Sequence, residues 1–173
     1  MFAGSLESQA ESCAGIVLSK SAEFWEEKNE AMIKLTKSIK EYTDESNEVL
    51  NTQFTPQFFK FLVEPLRAMI ADLRSQQVKE ACNLITAISE ASKDRMKVLL
   101  REIYVTLFDA IKVPHKLTVG HVDDTILSIL RIGTFRFFIP HLVQEIGEHK
   151  SSKVRERFLV CIMHMNKILS YVI

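Results

Sequence analysis

The sequence predicts an all-α chain of stacked helix pairs, and three observations carry that prediction: Gly and Pro are scarce, apolar residues recur every three or four positions, and polar breaks return along the chain. Five Gly and four Pro in 173 residues are too few to punctuate a fold of short strands. No alternating run bounded by turn residues is long enough to demand a sheet. In 26–42, Ala31, Leu35 and Ile39 lie four apart on one helical face among lysines and glutamates. Thr55-Pro56 reads as a cap followed by proline at the first helical position. From 76 to 91, Val78, Ala81, Cys82, Ile85 and Ile88 repeat the spacing, as do Leu99, Leu100, Ile103, Leu107 and Ile111, and then Val122, Ile126, Ile129 and Leu130. The last stretch, 153–172, is apolar over more than one face (Val154, Phe158, Leu159, Cys161, Ile162, Met165, Leu169), which predicts a helix buried between neighbours.

The breaks are as informative as the helices. Pro56, Pro65, Pro114 and Pro140 are all expected at helix starts, ends or bends. Segment 43–53 is polar and reads as a loop, 113–121 contains Pro114 and Gly120, and 147–152 (GEHKSS) separates another pair of apolar stretches. Breaks before the helices at Ala31, Val78, Val122 and Val154 lie about 47, 43 and 36 residues apart, near the period of HEAT or armadillo helix pairs. Such pairs bury their apolar faces only by stacking, so the expected architecture is a HEAT-like α-α superhelix of about four pairs over 22–173, preceded by a partly helical segment over 1–21. Stacking would align the intra-pair turns as one strip of surface.

The most specific phrases sit in those turns. Trp25-x-x-Lys28-x-x-Ala31-x-x-x-Leu35 occupies the first, and Asp72-Leu73-Arg74-Ser75-Gln76-Gln77-Val78-Lys79-Glu80-Ala81-Cys82 the second, after Phe61-Leu62-Val63-Glu64-Pro65-Leu66. A lysine follows in the third turn, and Ser152-Lys153-Val154-Arg155-Glu156-Arg157 in the fourth. Together these resemble the TOG domains of the CLASP family, microtubule-associated proteins whose HEAT-repeat paddles bind tubulin. The likeness spans roughly 22–172, strongest in the first two turns and the last, weakest in 93–125. It implies a noncatalytic module that binds the αβ-tubulin heterodimer or the microtubule lattice in the cytoplasm, without a cofactor. By resemblance Trp25 would pack on tubulin, while Arg74, Ser75, Lys116, Lys150, Lys153 and Arg155 would supply hydrogen bonds and ion pairs. A full TOG domain has six repeats, whereas this sequence holds about four, and Gly120 and His121 fall where a plain helix start is expected.

Each of these residues also has a plainer reading. A tryptophan before a helix commonly staples that helix to the core, Arg74 can pair with Asp72, and single lysines are ordinarily solvated. A HEAT-type adaptor or scaffold that does not bind tubulin, holding another protein through its concave surface or an exposed end helix, or self-associating through that helix, is the alternative function. Net charge is zero, with 22 basic and 22 acidic residues, which argues against bulk attraction to nucleic acid or anionic membrane. The zero is a cancellation: residues 1–50 carry 5 basic and 10 acidic groups, 51–173 carry 17 and 12. No apolar run approaches the roughly 18 residues of a membrane helix. Residues 1–19 lack a basic start and carry Glu7 and Glu11, unlike a secretory signal. Cys13, Cys82 and Cys161 are an odd, widely spaced set and read as free thiols of the cytosol.

Chemistry of other kinds lacks a footing. Cys161 and His164 share a helical face but have no second ligand pair. His115, His121, His141 and His149 are scattered, and no nucleophile elbow, P-loop or dinucleotide fingerprint occurs. Adjacent carboxylates Glu26-Glu27 and Asp123-Asp124 point apart on a helix. The first pair reads as surface, the second as a first-turn complement to the helix dipole. Phe58-Phe59-Phe61 and Phe135-Phe137-Phe138 read as core.

Overall fold

Capping fixes where the helices begin. In the computed structural model, which describes residues 5–43, 52–133 and 136–170 (the side chains of 166–170 excepted), the Ser5 hydroxyl accepts from the Ser8 N–H at 3.2 Å and opens α1 (Leu6–Ser19). Trp25 is the first residue of α2 (Trp25–Thr43), after a short 3₁₀ turn over Ala22–Phe24. Thr55 caps α3 (Pro56–Ile70) by accepting from the Phe58 N–H at 3.0 Å, with Pro56 in the first turn as the sequence predicts. Then come α4 (Ser75–Ser92), α5 (Lys97–Ile111), α6 (Lys116–Ile132), α7 (Ile139–Glu148) and α8 (Ser152–Ser170). Among the described residues the chain is all helix and turn, with no strand.

The helices form two layers. Each of α1, α3 and α5 packs on the next, as does each of α2, α4, α6 and α8, while α1 with α2, α3 with α4, α5 with α6 and α7 with α8 bridge the layers. The run over 1–21 thus contributes α1, which packs on α2 and α3. Its Glu7 carboxylate accepts from the Thr55 hydroxyl and its Leu6 N–H donates to Gln53 Oε1 at 3.1 Å, so α1 and α3 start side by side and run the same way. Between the layers lies one apolar core, in which Phe58, Phe108, Phe138 and Phe158 are fully buried. Phe108 is its junction at the C-terminal end, meeting Phe138 at 5.3 Å and Phe158 at 5.5 Å between ring centroids.

Several elements depart from the sequence expectation. Pro65 lies in the interior of α3 rather than at its start or end, and is buried as are Leu62, Leu66 and Met69; packing outweighs the roughly 3 kcal/mol that an interior proline costs. The break expected over 113–121 shrinks to 112–115, because the His115 ring accepts from the Thr118 N–H at 3.3 Å and starts α6 at Lys116. Gly120 and His121 are therefore helical, and Asp123-Asp124 sits in the second turn or beyond, not the first. Asp123 instead pairs with Arg157 of α8 at 3.5 Å. Nor is α8 enclosed: Val154, Phe158, Cys161 and Met165 are buried, but Leu159, Val160 and Met163 face outward, because no described helix packs beyond it in its layer. Of the loop expected over 43–53, Thr43 ends α2 and 52–53 are helical, while 44–51 lies outside the described residues, as do Phe135 and the side chain of Leu169.

A candidate partner-binding edge

Because helices of one layer run parallel, the four intra-pair turns (20–24, 71–74, 112–115 and 149–151) come to the same end of the stack. The last three are linked in sequence. The second and third flank a common cleft, and the third and fourth are joined by Lys112, whose ammonium donates to Asp109 at 2.9 Å and to Glu145 of α7. Partial burial alone would lower the Lys112 pKa, but its hydrogen bonds to Glu145 and Asp109 outweigh that and hold it above the ordinary value. Arg157 closes the same joint by donating to the Ile111 carbonyl at 3.0 Å.

The expected site residues occupy this edge in equivalent positions but in different states. Trp25, Ser75 and Lys116 are the first residues of α2, α4 and α6, and Lys150 and Lys153 flank Ser152, the first residue of α8. Trp25 and Ser75 are half-buried. Arg74 lies 3.6 Å from Asp72, which also accepts from the Arg74 N–H at 2.8 Å, so the local pairing open in the sequence is the one realised. Arg155 donates to the carbonyls of His149 and Lys150 at 2.6 and 3.2 Å and clasps the fourth turn. Lys116, Lys150 and Lys153 are exposed, and their ammonium groups have no ion-pair or hydrogen-bond partner among the described residues.

Apolar residues on the edge escape a sequence reading. Leu73 is 96% exposed at the tip of the second turn, Leu117 63% in the first turn of α6, and Phe24 47% beside Trp25, with the Lys20 ammonium 5.0 Å from its ring centroid. An exposed leucine forgoes the roughly 1.5–3 kcal/mol its burial would return. Between the second and third turns opens a cleft of about 510 Å³ lined chiefly by Ile70, Leu73, Thr106, Ala110, Val113 and Pro114. Its rim carboxylates are already matched, Asp72 by Arg74 and Asp109 by Lys112. The only available signal was an apolar residue inside an otherwise polar turn, as in Asp72-Leu73-Arg74.

Elsewhere the chemistry is quiet. A cleft of about 440 Å³ lies between α1 and α2, with buried Cys13 in its wall. The three cysteines are free and buried, and burial pushes Cys13 and Cys161 up to about 12 and Cys82 to about 11, so these thiols remain protonated at neutral pH. Among the described residues no three His, Cys, Asp or Glu side chains are grouped to hold a metal ion, and no helix is long and apolar enough to cross a membrane. Compared with known proteins, the chain matches no family model and no curated sequence. What the edge offers chemically is an apolar cleft, flanking aromatics and uncompensated lysines, a combination suited to holding another protein surface.

Proposed function

We propose that the two-layer stack is a HEAT-like α-α superhelix of four helix pairs and that the protein is a noncatalytic, cytoplasmic module that binds tubulin, free or in the lattice, through its turn edge. One observation carries the reading. Trp25, Arg74 with Ser75, Lys116, and Lys150 with Lys153 stand at the same place in successive pairs, as the TOG-like phrases imply. Contacts between every second helix in both layers support the solenoid. Trp25 and its neighbours supply apolar contact, and the unpaired lysines supply orientation and association rate toward an acidic partner.

Size exclusion with soluble tubulin at low salt tests this. Co-elution is expected, and the pair Lys116→Glu with Lys153→Glu should weaken it at least tenfold while the helical circular dichroism stays unchanged. A wild-type chain that neither co-elutes with tubulin nor pellets with microtubules at micromolar concentration would end the tubulin reading. The adaptor reading is favoured by a separate observation, the outward Val143, Leu159, Val160 and Met163 of α7 and α8. Self-association abolished by Met163→Glu, without tubulin binding, is its signature.

A further inference from the structure

We infer that the cleft between the second and third turns is the anchor point of the edge, and that it takes a segment in which one large apolar side chain is followed, on the flank toward the fourth turn, by carboxylates. The inference rests on the turn edge being the partner-binding surface, and it holds whether or not the partner is tubulin. Leu73, Val113 and Pro114 leave apolar surface open around about 510 Å³, room for a phenylalanine or leucine side chain. Asp72 and Asp109 on the rim are already paired with Arg74 and Lys112, so they present little net charge to an incoming group.

Charge then sets the polarity of the occupant. On one side lies the first turn, where Glu23, Glu26 and Glu27 are exposed and Lys20 is engaged by Glu27. On the other lie Lys116 and, one helix spacing further, Lys150 and Lys153, whose ammonium groups have no partner among the described residues. Packed helices sit about 8–10 Å apart, which an extended chain covers in roughly three residues. Carboxylates about two to six positions from the apolar anchor therefore reach Lys116 first and the fourth-turn lysines next. Placed on the opposite flank they would face the glutamates of the first turn. The unequal charge of the two parts of the sequence thereby becomes a direction along one edge.

The probe is a fluorescein-labelled twelve-residue peptide of glycine and serine carrying one phenylalanine followed by four glutamates, read by anisotropy in 50 mM salt and by amide chemical-shift mapping. Binding should perturb 71–73 and 113–118. Replacing the phenylalanine by serine should weaken it at least tenfold, and Lys116→Glu at least threefold. Leu73→Ser should also cost at least threefold; that side chain is almost fully exposed, and unchanged circular dichroism verifies the fold. Val98→Ser, at an exposed position at the opposite end of the stack, should leave peptide affinity within twofold. Equal binding of the phenylalanine and serine peptides, shifts confined to other surfaces, or no binding at 1 mM overturns the inference. The tubulin experiment runs separately: peptide binding without tubulin binding removes the tubulin reading and keeps the anchor, and tubulin binding indifferent to Leu73→Ser with no peptide binding does the reverse.

Discussion

Arg155 and Lys150 carry the same charge in the same turn and are used differently. Arg155 donates to two carbonyls that close the fourth turn, whereas the Lys150 ammonium faces solvent. Arg155→Ala should therefore lower stability by about 1 kcal/mol, below the roughly 1.5–3 kcal/mol of a charged hydrogen bond because the side chain is half exposed, and Lys150→Ala should stay within about 0.5 kcal/mol; urea unfolding distinguishes them. Asp123 makes a pH-dependent contribution of unusual sign. Burial, opposed by Arg157 and reinforced by Asp124, holds its pKa above the ordinary 3.8, so the folded state binds this proton more tightly than the unfolded chain does. Ionisation then destabilises the fold at pH above the raised value, and the penalty fades as pH falls from there to 3.8. Asp123→Asn, which resembles the protonated acid, should raise the urea midpoint at pH 7 and lose that advantage near pH 3. No advantage at pH 7 would contradict the assignment.

The helices divide into those announced by local chemistry and those settled by neighbours. Ser5 and Thr55 cap through their own hydroxyls, a pattern visible in the residues themselves. By contrast, α6 runs through Gly120, which marks a break in the sequence yet lies in an exposed helical position with open space where a Cβ would stand. Gly120→Ala should accordingly stabilise by about 0.5–1 kcal/mol and raise Tm by about 1–4 °C, measured by thermal melts followed by circular dichroism. At the end of α4 the difficulty is reversed. Lys93 adopts φ 47° and ψ −122°, a conformation suited to glycine, between Ser92 and Asp94 in a stretch that holds no Gly or Asn. Lys93→Gly should relieve that strain, with a net gain of about 1 kcal/mol after the added freedom of the unfolded chain is subtracted, checked by the urea midpoint.

For the whole molecule, stability should be graded along the stack. The main contacts run between successive helices and between every second one, so α4, packed on both α2 and α6 in its layer, is held from two sides, whereas α8 is held from one. Hydrogen exchange should be slowest in α4 and approach fast local opening in α8, with Phe158→Ala accelerating exchange in α7 and α8 before it does so in α2. Uniform protection along the chain would instead indicate a single cooperative core. The same one-sidedness explains why 153–172 misleads: an apolar composition on several faces predicts enclosure, but enclosure requires a neighbour, and Leu159, Val160 and Met163 have none among the described residues.

Sequence alone determined the all-helical class, the capped starts at Thr55-Pro56, the apolar faces and the approximate turn positions, because these follow from residues within one or two helical turns of each other. It also located Trp25, Arg74, Ser75, Lys116, Lys150, Lys153 and Arg155 at those turns. Which of the cations are available was decided only by tertiary structure. Asp72 and the carbonyls of the fourth turn engage Arg74 and Arg155, while the ammonium groups of Lys116, Lys150 and Lys153 remain without partners among the described residues. Even the short-range pairings depend on how each turn folds back on itself. The cleft beside Leu73 is further from the sequence still: its walls come from two turns some forty residues apart, and only parallel packing of α3 against α5 brings them together.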